Sequence, residues 1–249
     1  MRRYRSWPAA AMLALSIGVF AGRPAMALGY QECVSLVEKA PAEAEVAARR
    51  WIDEGGGAAA RHCLALALVA QGAERRGAAL MTRIAAEERL LPDAVRAELL
   101  IEAGEIYLGI GELGAARTAA REALRLAPDP APAHVLAARV AAAKADWRGA
   151  LDELDKALAA GEPEAATLVL RASARIHLDD LAGAASDLAA AGKLAPDLPE
   201  LWLERGRLAA AKGARDAARR AFLGAIERDR EGPVGAAARL GLQRMEAGD

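Results

Sequence analysis

The chain has 249 residues, is 54% hydrophobic but only 4% aromatic, and carries a formal net charge of −1. That apolar share can fill a sizeable core and excludes a disordered chain. The lack of Val-, Ile-, Thr- and aromatic-rich runs excludes a sheet-built one, and the absence of a basic excess argues against a nucleic-acid partner.

The N-terminal stretch "MRRYRSWPAAAMLALSIGVFAGRPAMA" places Arg2, Arg3 and Arg5 before an apolar run from Ala9 to Ala21 and a small-x-small site at Ala25-Met26-Ala27. This is the layout of a secretory signal peptide over 1–27, with cleavage expected after Ala27. The alternative is a retained anchor, for which the apolar run is short of the ~20 residues a span needs. Arg2-Arg3 is a pair without the apolar motif that follows a twin-arginine signal, and "LGYQEC" lacks the pattern of a lipid-anchor site. Losing Arg2, Arg3, Arg5 and Arg23 leaves residues 28–249 with a net charge of about −5, so the expectation is an exported protein, periplasmic or secreted, without stable membrane insertion after cleavage.

Residues 28–57 read as a short helical hairpin, broken near Ala40-Pro41 and closed by Gly55-Gly56-Gly57. The chain has two cysteines, Cys33 and Cys63, an even number that suggests a disulfide in an exported protein. Free buried thiols and a metal or catalytic role, with His62 beside Cys63, are the other readings. Zinc needs three or four convergent ligands, and adjacent residues on a helix do not face each other.

From residue 97 onward the chain repeats every 34 residues without a gap. Gly104 aligns with Ala138, Ala172 and Gly206. Ala116 aligns with Ala150, Ala184 and Ala218, and Ala123 with Ala157, Ala191 and Ala225. Larger residues keep the same register, such as Ala120 with Leu154, Leu188 and Phe222. Each copy reads as two helices, with Gly111 breaking the first pair and Pro128, Pro163 and Pro196 following the second helix. The copies are 97–130, 131–164, 165–198 and 199–232. A weaker copy, 58–96, has Gly77 and Ile84 at positions where Ala is usual. The extra "PDAVR" before the next copy predicts that its second helix runs long. Residues 233–249 read as a closing helix over the last copy.

This pattern resembles the tetratricopeptide repeat (TPR) family, whose signature is best matched by "LIEAGEIY…GAARTAAREALRLAP". Gly104, Tyr107, Ala116, Ala123 and Pro128 fill family positions there, and Trp202, Gly206, Ala218, Phe222 and Ala225 fill them in 199–232. The resemblance implies an all-α, right-handed solenoid of helix hairpins. Its packing contacts would be Gly104, Tyr107, Ala116, Ala123, Trp202, Gly206, Ala218, Phe222 and Ala225, with Ala138, Ala150, Ala157, Ala172, Ala184 and Ala191 at the same register positions. It also implies that the first helix of each pair lines a concave groove for a peptide or a partner helix. Carried over by register, that lining is His62, Leu66, Val69, Glu98, Ile101, Glu105, Leu108, Val135, Arg139, Val169, Ser173, Ile176, His177, Leu203 and Arg207. The carboxylate clamp of some family members uses Asn, and the chain has none. A half-apolar lining with Arg139 and Arg207 suits an amphipathic helix or an apolar peptide with an acidic group. The alternative is that these residues only pack against neighbouring helices.

Chemistry has few candidates. Ser173 and His177 lie four apart with Asp179 and Asp180 beyond, which would be the roles of a hydrolase, but no oxyanion hole or strained elbow accompanies them. Gly55-Gly56-Gly57 lacks the Lys-Ser/Thr of a phosphate loop. The expectation is therefore a non-enzymatic protein–protein interaction adaptor or scaffold of the periplasm or cell envelope, with no cofactor, no metal and an unidentified protein partner. The alternatives are a hydrolase centred on Ser173/His177 and a purely structural spacer.

Overall fold

A computed structural model describes residues 29–126 and 131–247. The expected signal peptide with its cleavage point, Pro128 as a stop, and the last two residues of the closing helix lie outside these residues. Thirteen α-helices and no strand make up the described part. A terminal hairpin is formed by α1 (Tyr30–Lys39) and α2 (Pro41–Asp53). Five hairpins follow: α3 (Gly57–Ala70) with α4 (Glu74–Glu87), α5 (Asp93–Gly109) with α6 (Leu113–Leu126), α7 (Ala131–Ala143) with α8 (Trp147–Ala159), α9 (Ala165–His177) with α10 (Leu181–Leu194), and α11 (Pro199–Ala211) with α12 (Arg215–Arg228). The last helix is α13 (Pro233–Ala247).

Each helix exists because one stripe of it can be buried. In α6 the buried residues are Ala116, Ala119, Ala120 and Ala123, spaced i, i+3, i+4, i+7, with Arg117, Arg121 and Arg125 turned outward. The stripe is made of alanines because the neighbouring backbone is close. A methyl group on Gly104 would collide with Leu136, which is itself fully buried, and one on Gly206 with the ring of Phe222. Among the described residues, the expected repeat-packing residues are buried except Trp202, which is half-buried at the edge of the stack. Its indole N–H donates to the Pro196 carbonyl at 2.8 Å, and the Arg228 guanidinium lies 4.3 Å from its ring centre, a cation–π arrangement. In the weaker copy Gly77 is required, because a methyl there would meet the Ala65 carbonyl and Val69.

The turns between paired helices follow the same register. Gly111 has φ 79° and Gly213 φ 71°, while Ala145 (φ 58°) and Asp179 (φ 62°) hold the equivalent left-handed positions without glycine. Asp146 and Asp180, one residue further on, cap α8 and α10 by accepting from the N–H groups of Gly149 (3.0 Å) and Gly183 (2.9 Å).

The extra residues before the third hairpin correct one expectation. They do not lengthen α4, which ends at Glu87; they become the first turn of α5, the longest helix at 17 residues. Pro92 stands just before that turn, where its missing N–H is harmless. Arg96 ties the turn down, donating to the Ala85 carbonyl at 2.7 Å and pairing with Asp93.

Each helix packs on the next in chain order. α1 also touches α3, α5 touches α7, α9 touches α11, and α11 touches α13. Contacts that skip a helix thus join odd-numbered helices only, which marks these as the inner row of the superhelix. A buried charge network braces the middle of the stack. Asp187 on α10 is 3% exposed and accepts from Arg171 (2.7 and 3.0 Å) and Arg175 (2.8 Å) on α9, and Arg171 reaches on to Asp155 of α8. A carboxylate removed from water in this way is tolerated only because both of its oxygens are paired.

Candidate protein-interaction groove

The inner row carries the residues that register assigns to the groove, but it does not present all of them. His62, Val69, Val169 and Leu203 are buried, at 7%, 6%, 3% and 7% exposure. Val69 lies against the α4 turn at Gly77, Val169 joins the core with Leu168 and Leu188, and Leu203 joins the one with Phe222. These four are packing residues, a correction to the expected lining. The fifth residue of 165–198 and 199–232, Val169 and Leu203, packs inward, whereas the same position in 97–130 and 131–164, Ile101 and Val135, stays half-buried. Leu66, Ile101, Glu105, Leu108, Val135, Ser173, Ile176 and Arg207 are half-buried, and Glu98, Arg139 and His177 are exposed.

The charges of this surface largely satisfy one another. Arg139 of α7 pairs with Glu105 of α5, one repeat earlier at the same register position. Arg207 pairs with Glu204 on its own helix at 2.6 Å. Neither arginine is left without a carboxylate, so the expected match to an acidic group on a ligand loses its main support. Glu204 is 5% exposed, and burial pushes its carboxyl above the ordinary range against the opposing pull of Arg207 and Ser173. Glu98 is raised by partial burial as well. His177 lies flat on Trp147, ring centres 3.7 Å apart and 4° from parallel, and its pKa is lowered by burial and by Arg207.

One small hollow interrupts the row. Ala138, Ala142, Ala150 and Ala174, with Leu154 and Leu170, enclose a cavity of about 50 Å³, and Arg139, Ser173 and Trp147 also line it. Register explains it. Ala141 and Ala142 stand where the preceding copy has Tyr107 and Leu108.

The residues of the hydrolase alternative are engaged elsewhere. Asp180 caps α10 and lies 3.5 Å from Arg175, Asp179 forms the left-handed turn, and the His177 ring faces Trp147. Among the described residues no three His, Cys, Asp or Glu side chains are grouped as metal ligands, and no helix is long and apolar enough to cross a membrane. Cys33 and Cys63 stand at disulfide distance, Cα atoms 6.2 Å apart, and both are fully buried between α1 and α3.

Sequence reasoning missed Tyr30, Glu102 and Glu204. Tyr30 Oη lies 2.8 Å from His62 Nδ1, and His62 Nε2 lies 2.9 Å from Glu102 Oε2. A signal was present. Glu102 and Glu204 occupy the register position of Leu136 and Leu170, so an acid stands where other copies place leucine.

A family model for the tetratricopeptide repeat matches residues 97–130. No curated protein matches the chain. Solved structures resemble it in fold. Pseudomonas aeruginosa pilF shares 15% identity over 88% of this chain and 96% of its own, with a TM-score of 0.68. MamA from Desulfovibrio magneticus RS-1, residue 41 to the end, shares 19% over 71% of this chain and 97% of its own, with a TM-score of 0.57. YrrB, described as a TPR protein with an unusual peptide-binding site, shares 19% over 78% of this chain and 97% of its own, with a TM-score of 0.53. The chain thus contains a tetratricopeptide repeat at 97–130 and folds as an all-α, right-handed TPR solenoid.

Proposed function

We propose that this chain is a non-enzymatic interaction adaptor or scaffold of the cell envelope, exported by residues 1–27 and holding a partner's peptide or helix along α5, α7, α9 and α11. The observation that carries the reading is the inner row itself. Leu66, Ile101, Leu108, Val135 and Ile176 are only half-buried there and supply an apolar strip. Charge pairing within the row, Glu105 with Arg139 and Glu204 with Arg207, favours a partner read mainly through apolar side chains spaced along a helix or strand. YrrB, a protein of similar fold, is described as having a peptide-binding site, which supports peptide binding by a solenoid of this kind.

The test places a photo-crosslinking residue at position 101 or 176 and, as controls, at the outward positions 121 and 220, in cells that produce the full chain. Partner crosslinks are expected from the inner positions, and Ile101→Glu with Ile176→Glu should abolish them without loss of helicity. Crosslinks confined to the outward positions would refute the groove. N-terminal sequencing of the exported protein should begin at Leu28, and fractionation should recover it from the periplasm or medium.

A further inference from the structure

Helix α1 is attached to the solenoid differently from every other helix. It has ten residues, fewer than a helix needs to persist unaided in water, and Cys33 is its one buried residue. It packs on α2 and α3. The apolar cluster beneath it, Ala48, Cys63, Leu64 and Leu68 with half-buried Val37 and Trp51, belongs mainly to those two helices. Two attachments do the rest. One is the Cys33–Cys63 pair. The other is a polar line: the Tyr30 phenol donates to His62 Nδ1, and His62 Nε2–H donates to Glu102, so the line runs from α1 through α3 to α5. Burial and Glu102 push the Tyr30 hydroxyl up to about 12, so it stays a proton donor across the physiological range. Both sulfurs are completely buried, at 0% exposure, so no thiol can reach them while α1 is seated.

We propose that α1 is a thiol-released latch: exchange with a small dithiol opens Cys33–Cys63 and frees α1 alone from the end of the stack, and the Tyr30–His62 bond sets how readily the dithiol gains entry. The chemistry balances. A thiolate of the dithiol attacks one protein sulfur, forming a mixed disulfide, and the other cysteine leaves as a thiolate that takes up a proton. The second sulfur of the dithiol then closes a cyclic disulfide and releases the remaining cysteine. The protein pair is reduced and the dithiol oxidised. Release is confined to α1 because α2 and α3 retain each other and α4, whereas α1, ten residues long and with no helix before it among the described residues, keeps only its packing on α2 and α3.

The test is independent of whatever occupies the groove. The full chain, with its cysteines oxidised, is treated with dithiothreitol and followed by hydrogen exchange and by alkylation of the two thiols. Amide exchange over residues 30–39 should rise at least about tenfold, with α5 to α12 unchanged. Tyr30→Phe, oxidised and folded as the parent, should be reduced at least about threefold faster. Unchanged exchange over 30–39 once both thiols are alkylated would overturn the latch. So would loosening that spreads into α5, reduction of Tyr30→Phe at the parent rate, or thiols that alkylate without any reductant.

Discussion

At the scale of single residues, the small side chains and the buried charges follow different rules. Gly104 and Gly206 sit where Leu136 and Phe222 press on the backbone, and a 34-residue period shows such positions directly, because every copy must solve the same contact. The partners of the acids do not repeat with that period. Asp187 depends on Arg171 and Arg175 from the facing helix, and Glu102 on His62 from forty residues earlier in the chain. Such partners are chosen by the packing of helices, so the sequence shows an acid in an apolar register and leaves its partner open. Glu204 makes this measurable. Its carboxyl is raised in the folded chain, so folding favours the protonated form. Its contribution is complete below the ordinary carboxylate range, and it is lost as pH rises through the unfolded value toward the folded one. Glu204→Gln should therefore gain stability relative to the parent on going from about pH 4 to about pH 7. Urea midpoints of both proteins at each pH test this, and an equal difference at the two values would show an unperturbed carboxyl.

Among helices, boundaries depend on local chemistry that is readable one residue at a time. Asp146 and Asp180 cap α8 and α10 through their side chains. Asp146→Ala should cost about 1 kcal/mol, seen as a lower thermal midpoint with unchanged helicity, whereas Asp152→Ala on the exposed side of α8 should cost little. The placement of "PDAVR" was less legible. Helix propensity is indifferent to whether these residues end α4 or begin α5. Pro92 decides it, because a proline just ahead of a helix starts it while one within the preceding helix would break it. The same reasoning applies to the groove. Register locates the inner face of each helix, but Val69, Val169 and Leu203 are covered by side chains of neighbouring elements, and that packing is not encoded in any single repeat.

For the whole molecule, stability is a chain of neighbour contacts with no central core. The overall solenoid was legible because the period counts helices and orders them. The state of its ends was less so, because end helices have no second copy for comparison. α13 covers Phe222, Leu203 and Ala218 of the last hairpin, and Gly241 lies against the Phe222 ring. Removing residues 233–249 should expose that cluster, lower the thermal midpoint and promote self-association, with light scattering as the measure. A truncated chain that stays monomeric at the parent midpoint would show that α13 is not a cap.

The left-handed turns hold one further consequence. Positions 111, 145, 179 and 213 are the same joint made with Gly, Ala, Asp and Gly, so the molecule contains its own calibration series for the cost of a side chain at positive φ. Ala145→Gly should relieve about 1 kcal/mol, and Asp179→Gly less, because aspartate adopts that conformation more readily. Within one solenoid, with flanking helices held alike, the difference between the two would isolate backbone preference from packing, a separation that is rarely available between proteins.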